Sequence, residues 1–274
     1  MAADGKIDQD TVQEVWREYL ATGDVPEFVN APWFSSKRLR PFFLHIPAEP
    51  RCRTCFYPFE GLGGKLMRSF FGVSPAKMNP HICNLCENFL TRFPGGVEVD
   101  LTIFFADVRG STRLAEQMNP TQFSQLINRF YNVTSSILFE SEALVEKLIG
   151  DAVTAIFTPG FGGQDHAKAA IESARKIMKA TGHGSSSAPW VPLGIGIHTG
   201  RAFVGSVTSD LGVKDIAVLG DTANTGARLA SLAAPGEIAI SQETAKAAGL
   251  DADGINVRQV ELKGRQEPVE VWVL

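Results

Sequence analysis

The sequence contains no apolar run approaching the ~20 residues that cross a bilayer as a helix, so no membrane span is predicted from it. No leader of the secretory kind is expected, because MAADGKIDQD lacks the order of basic residues followed by apolar ones. Positive charge is not in excess. A net charge of −4 and the absence of a basic stripe argue against a nucleic-acid-binding protein or one drawn to anionic lipid. Internal repeats are lacking, and the one low-complexity patch is GHGSSSAP at 182–189. Cysteine is scarce, with four in 274 residues. In the cytoplasm, where these absences place the chain, four cysteines do not read as a disulfide framework.

What is present is the composition of a soluble globular protein, 44% apolar and 20% charged, long enough for one large domain with a smaller partner. Residues 1–50 read as an N-terminal segment. A helix is predicted over 9–21, with Val12, Val15, Trp16 and Tyr19 at helical spacing, followed by an irregular stretch holding Trp33, Phe34, Phe42 and Phe43. Residues 51–94 hold all the cysteines, and the breaker PGG at 94–96 sets a boundary before a third segment, 97–274. There the pattern predicts a buried strand at Val99–Ala106, helices at Pro120–Glu140 and Gln164–Ala180, and a hairpin of Leu144–Ile149 with Ala152–Phe157. A second hairpin is predicted from Pro192–His198 and Ala202–Val207 around Thr199-Gly200-Arg201. A strand at Ile216–Leu219, a helix at Asp221–Ala234 and strands near 256–262 and 269–273 complete an α+β domain with a mostly antiparallel sheet.

The cysteines form Cys52-Arg53-Thr54-Cys55 and Cys83-Asn84-Leu85-Cys86, two CxxC knuckles with 27 residues between them. Such a pair predicts a tetrahedral structural Zn²⁺ site. An iron–sulfur cluster is the alternative, since four cysteines serve both.

Three segments carry the chemistry. In Phe104-Phe105-Ala106-Asp107-Val108-Arg109-Gly110-Ser111-Thr112, a carboxylate ends a buried strand and a small turn opens a helix. Asp107 is placed to hold a divalent cation. The backbone N–H groups from Val108 to Thr112 are placed to cradle phosphate. Alone, Asp107 or Ser111 reads equally well as a helix cap. Asp151, in Lys147-Leu148-Ile149-Gly150-Asp151, is a turn residue on its own, but beside Asp107 it makes a carboxylate pair suited to Mg²⁺ or Mn²⁺. Asn224 and Arg228, in Gly220-Asp221-Thr222-Ala223-Asn224-Thr225-Gly226-Ala227-Arg228, share one helix face, an amide and a guanidinium fit to orient a ribose and neutralise a phosphorane, though this helix alone reads more readily as a solvated polar stripe.

Taken in order, FFADVRGST, EKLIGDAV, GIGIHTGRAFVGSV, VLGDTANTGARL, PGEI and LKGRQEPVEVW resemble the catalytic domain of the class III adenylate/guanylate cyclases over roughly residues 97–274, with 44 residues from Asp107 to Asp151. The resemblance implies a ferredoxin-like antiparallel sheet with flanking helices, here preceded by a four-cysteine metal-binding module. It implies two Mg²⁺ or Mn²⁺ ions held by Asp107, Asp151 and the Val108 backbone. It implies that Gly110, Ser111 and Thr112 contact phosphate, that Asn224 and Arg228 act on the transition state, and that Arg201 and Lys263 bind the triphosphate. Lys147 matches a base-recognising lysine. The second base-recognising position, usually Asp or Thr, is Ala217, a departure from the family pattern. It also implies a homodimer, with metal aspartates from one subunit facing the transition-state residues of the other.

A lysine is a donor only. It suits the acceptor N1 of adenine and opposes the N1–H of guanine, so ATP is the expected substrate. Without an acceptor at position 217, GTP or a pyrimidine triphosphate stays open. Two other classes compete with an active enzyme. One is a degenerate cyclase-fold module, against which Asp107, Asp151, Asn224 and Arg228 all speak. The other is a nucleic-acid-binding zinc protein, against which the acidic balance speaks.

Overall fold

The computed structural model describes residues 7–29, 42–43, 45–46, 50–77, 79–208, 214–261 and 268–274. The chain opens with α1 (Gln9–Thr22), α2 (Gly61–Phe71) and α3 (Asn84–Arg92). Then come β1 (Gly96–Val108), α4 (Ser111–Gln117), α5 (Pro120–Glu140), β2 (Leu144–Ile149), β3 (Ala152–Phe157) and α6 (His166–Ala180). It ends with β4 (Leu193–Thr208), β5 (Lys214–Leu219), α7 (Asp221–Leu232), β6 (Ile238–Ser241), α8 (Gln242–Ala247), β7 (Asn256–Val260) and β8 (Val269–Val273). These elements fall into two compact units. One joins Met1–Val99 to Pro159–Phe161 and Ala202–Leu219, and the other holds Asp100–Thr158, Gly162–Arg201 and Gly220–Leu274.

The first unit is built on aromatic packing. The Asp8 side chain caps α1 by accepting from Thr11 N–H at 2.8 Å, and Gly23 closes it in the left-handed conformation. The stripe Val12, Val15, Trp16 and Tyr19 read from the sequence is buried, and Leu20 is buried beside it. Trp16 donates its Nε1–H to Phe93 O at 3.1 Å and stacks edge-on against Tyr19 and Phe89. Truncating so large a buried side chain costs about 3–5 kcal/mol. Here too β5 pairs antiparallel with the second half of β4, from Phe203↔Leu219 to Thr208↔Lys214.

The second unit follows the sheet order β2-β3-β1-β4-β6-β8-β7. The pairs β1–β3, β2–β3, β6–β8 and β7–β8 are antiparallel, and β4–β6 is parallel. The α5 helix begins at Pro120 because Asn119 and Gln122 form a reciprocal capping box. It buries Ile127, Phe130, Thr134 and Leu138 at helical spacing. The β2–β3 turn at Gly150 has φ +59°, which glycine adopts without strain.

One predicted turn is absent. Residues 192–207 are not a hairpin, since β4 runs as one 16-residue strand through Thr199-Gly200-Arg201. Gly200 serves close approach instead of reversal. A Cβ there would lie 2.8 Å from Thr222 Oγ1 at the start of α7. The short β6 and α8 were not anticipated, because four residues, Ile238–Ser241, are too few to show a period.

Candidate active site

Strand register brings the two carboxylates together. In β1, Asp107 pairs with Ala152 of β3, and Val108 N–H donates to Asp151 O at 3.0 Å. The tip of the β2–β3 hairpin therefore lies against the end of β1. Tyr131 O–H donates to Gly150 O at 2.6 Å and fixes that tip from α5. Both aspartates are half-buried. Gly110 follows with φ +65°, which lets the chain turn sharply into α4.

Sequence reasoning missed Arg109. Its guanidinium forms an ion pair with Asp107, and its Nη1 donates to Ser231 O, in α7, at 3.1 Å. Burial pulls the Arg109 pKa down, and the nearby Asp151 charge opposes that shift. The only signal was a cationic residue two positions past a carboxylate in a turn. The predicted phosphate cradle is also narrower than expected. Val108 N–H is bonded to Asp151 O and Arg109 N–H to Pro192 O at 2.9 Å, so neither of these two N–H groups is free for the cradle expected from the sequence.

The α7 helix lies directly on the sheet, and glycines permit it. A Cβ on Gly226 would meet Ile103 Cγ2 at 2.7 Å, and one on Gly196 of β4 would meet Ala230 N at 2.1 Å. Thr222, Thr225, Gly226, Leu229 and Ala230 form the buried face. Asn224 is exposed and Arg228 half-buried. Among the described residues, no hydrogen bond or ion pair joins Asn224 or Arg228 to Asp107 or Asp151. Arg201 is exposed, and its carbonyl accepts from Thr222 Oγ1 at 2.6 Å. Lys147 stands in β2 with its Nζ 3.5 Å from Glu146 Oε1. Ala217 is buried in β5, opposite Gly205. Lys263 lies outside the described residues.

The four cysteines converge as their spacing predicts. Their sulfurs lie within 4.8 Å of one another, with Cys52–Cys86 at 3.8 Å and Cys55–Cys83 at 3.5 Å. Cys83 N–H points to Cys52 Sγ at 3.3 Å and Cys86 N–H to Cys83 Sγ at 3.5 Å. Burial would raise the Cys52 thiol, but hydrogen bonds from the other three cysteines outweigh it and hold Cys52 well below the usual thiol range. Cys55 and Cys86 are pushed up. Phe56, next in chain, is fully buried at φ +65°, a left-handed conformation uncommon for a bulky residue. Buried Arg51 braces the first knuckle by donating to Phe43 O at 2.7 Å and to Ile46 O.

Comparison with known proteins decides what this arrangement is. The adenylate and guanylate cyclase catalytic domain matches residues 98–274. The chain belongs to that family. Guanylate cyclase 2G of Mus musculus is 30% identical over 180 residues, 63% of this chain and 16% of that protein. The terminal-differentiation-specific adenylate cyclase of Dictyostelium discoideum is also 30% identical over 180 residues, 63% of this chain but 8% of its own length. This cyclase-family chain thus spans a small part of the curated relatives it matches. Among solved structures, the adenylyl cyclase CyaB from P. aeruginosa has a TM-score of 0.55 at 29% identity, over 64% of this chain and 93% of its own. The guanylyl cyclase Cya2 has a TM-score of 0.56 at 29% identity, over 65% and 93%. The fold is that of the class III cyclases, and the four-cysteine cluster precedes the matched domain.

Proposed function

We propose that the chain cyclises a nucleoside triphosphate, ATP before others, to its 3′,5′-monophosphate with release of pyrophosphate. The observation that carries this reading is the meeting of Asp107 with the Asp151 turn at a place that already accommodates the cationic Arg109. Paired hard oxygens beside a positive charge are the kind of donor set that suits Mg²⁺ or Mn²⁺. Asp107, Asp151 and the Val108 backbone would hold two such ions. When bound, they supply Lewis-acid stabilisation of charge on the α-phosphate and on the attacking oxygen. The ribose 3′-oxygen gives up its proton to solvent water as it bonds to the α-phosphorus, and the bond from that phosphorus to the bridging oxygen breaks, its electrons leaving with pyrophosphate. Asn224 orients the ribose and Arg228 neutralises the phosphorane. Gly110, Ser111, Thr112, Arg201 and Lys263 bind phosphates. Lys147 donates to adenine N1.

GTP is the second reading. Ala217 offers no side-chain acceptor for the adenine amino group, and the similar proteins include guanylate as well as adenylate cyclases. A missing neutral hydrogen bond is worth about 0.5–1.5 kcal/mol, which takes up to about tenfold off the selectivity, so ATP should lead GTP only by a modest margin. We also infer a homodimer, because the cyclase-family resemblance implies that the metal aspartates of one subunit face the Asn224 and Arg228 of the other, a common closed two-fold arrangement. We infer a single Zn²⁺ at the cysteines, in keeping with free thiols of a reducing cytoplasm. Four thiolates at ~2.3 Å from one zinc lie about 3.8 Å apart, close to the 3.8 and 3.5 Å separations observed. Thiolates bonded to separate irons of a cluster would stand farther apart.

The deciding experiment is turnover with ATP, GTP, CTP and UTP in Mn²⁺. Cyclic AMP as the main product supports the reading. A strict preference for another base rejects the ATP assignment, and no product from any of the four rejects the catalytic one.

A further inference from the structure

We propose that the four-cysteine centre acts as a clamp on strand β5, so that metal at the cysteines sets how well position 217 is presented to the nucleotide base. The proposal rests on the reading of Ala217 as a base-contacting position. It concerns a link that the catalytic reading leaves unused, between a metal module and a substrate strand.

The link can be followed atom by atom within the first compact unit. Cys83 is the N-cap of α3, its sulfur receiving Cys86 N–H, so ligand geometry fixes where α3 starts and how it points. The α3 helix packs on β5. At its far end Thr91 Oγ1 accepts from Lys214 Nζ at 2.7 Å. The loop entering the second knuckle holds the same residue from its backbone. There Asn79 is buried and donates its Nδ2–H to Lys214 O at 3.1 Å. The Asn79 side-chain oxygen accepts from His81 N–H at 3.2 Å, and His81 O accepts from Arg53 N–H at 3.0 Å, which ties both knuckles to this anchor. Lys214 is the first residue of β5 and stands three before Ala217.

Besides these bonds, the strand is held by its ladder with β4, from Phe203↔Leu219 to Thr208↔Lys214. Among the described residues, β5 pairs only with β4 and lies off the main path of the sheet. An edge strand with one partner opens locally more easily than a central one. The segment after α3 secures β4 as well. Gly95 N–H donates to Ser206 Oγ at 2.9 Å, and Ser206 N–H donates to Gly95 O at 2.7 Å. A Cβ on Gly205 would lie 2.4 Å from Gly95 O, so the backbones meet with no room between. Loss of the metal would free both knuckles, since binding at such sites is coupled to folding. The α3 start and the Asn79 loop would then release Lys214. Asn79, Thr91 and Lys214 are therefore positioning residues, acting on the base through the strand.

The test uses the full chain, with zinc measured by elemental analysis before and after chelation. Amide exchange is followed in peptides covering 214–219, with the β2–β3 peptides at 144–157 as internal reference. Metal removal should speed exchange in 214–219 by about tenfold or more, the scale of losing two hydrogen bonds, and leave 144–157 unchanged. The KM for the nucleotide should rise by about as much, with kcat changed less than about threefold. Because Cys→Ser variants can fail to fold, the second arm is Asn79→Ala with Thr91→Val. It keeps the cysteines and should keep one metal per chain, yet reproduce both the faster exchange and the raised KM. Unchanged exchange in 214–219 on metal loss, exchange rising equally across the chain, or a silent double variant would each overturn the clamp. Protein that neither holds nor takes up zinc would overturn it too. A chain inactive on all four nucleotides rejects the catalytic reading, while the exchange arm still decides the clamp.

Discussion

Adding one methyl group at Gly196 should disable the proposed enzyme from a position that contacts no substrate. The Cβ of Gly196→Ala would fall 2.1 Å from Ala230 N, 2.6 Å from Ala230 Cα and 2.7 Å from Gly226 O. Carbon contacts relax at about 3.5–4.0 Å, so α7 must lift from β4 by roughly an ångström. All three neighbours are backbone, and no rotamer change relieves them. Overpacking of this kind costs about 1–3 kcal/mol, or about 2–12 °C in Tm for a chain of this size. The larger effect falls on kcat, because α7 carries Asn224 and Arg228, and an ångström of misplacement costs about 100-fold. Gly226→Ala is the comparison. Its Cβ meets only side-chain atoms, Ile103 Cγ2 at 2.7 Å and the Phe105 ring at 3.0 Å, which can shift. It should be the milder variant in both assays. Thermal denaturation and steady-state kinetics on the two proteins suffice. A Gly196→Ala protein with the parent Tm and kcat would refute the seating of α7 described here.

Asp107→Ala should remove nearly all turnover and leave the circular dichroism spectrum unchanged. Parent rates from this variant would reject metal binding at that carboxylate. Mixing Asp107→Ala with Arg228→Ala, each inactive alone, should restore roughly a quarter of parental activity, since about half of randomly exchanged dimers are mixed and each has one intact site. No recovery despite demonstrated subunit exchange would place the whole site in one chain. His166 supplies a pH prediction. Burial lowers its pKa below 6.5, against the raising influence of Asp100 and Asp165, so the unfolded state takes up the proton first. Its contribution is present above about pH 6.5 and is lost as the pH falls from there through the lower folded value. His166→Gln should flatten the stability profile below about pH 6.5, and an unchanged slope there would refute the assignment.

Much of this molecule was legible because local patterns and global fold agree. The 120–140 helix showed itself through apolar residues at helical spacing, and the Gly150 turn lay between two apolar strands. The two CxxC knuckles were legible for the same reason, as the ligand pairs are local even though the site is not. What escaped detection depends on approach across the fold. Thr199-Gly200-Arg201 read as a turn because glycine between polar residues does so often. Its actual reason, Thr222 Oγ1 arriving 2.8 Å from where a Cβ would be, belongs to another element. Arg109 was passed over because its ion pair looks like any polar residue in a loop until β1, β3 and α7 are in place. The attachment of β5 to the cysteine module could not be read at all, since 135 residues separate Asn79 from Lys214.

The departure at position 217 has a structural consequence that can be tested. Ala217 is 4% exposed and stands opposite Gly205, where Gly95 leaves no room for a side chain. Restoring the family's carboxylate with Ala217→Asp would bury a charge without a partner in the free protein, a penalty met partly by raising its own pKa. The variant should lose about 1–3 kcal/mol of stability without nucleotide. Adenine presents an amino donor that would satisfy the new oxygen, and guanine presents a carbonyl that would oppose it. ATP binding should therefore recover part of the lost Tm, GTP should not, and the ATP-to-GTP ratio of kcat/KM should rise by at least about tenfold. Ala217→Thr, neutral and smaller, should sharpen the ratio less and cost less stability. If both variants kept the parent ratio, position 217 would not face the base, and Lys147 would have to select it alone.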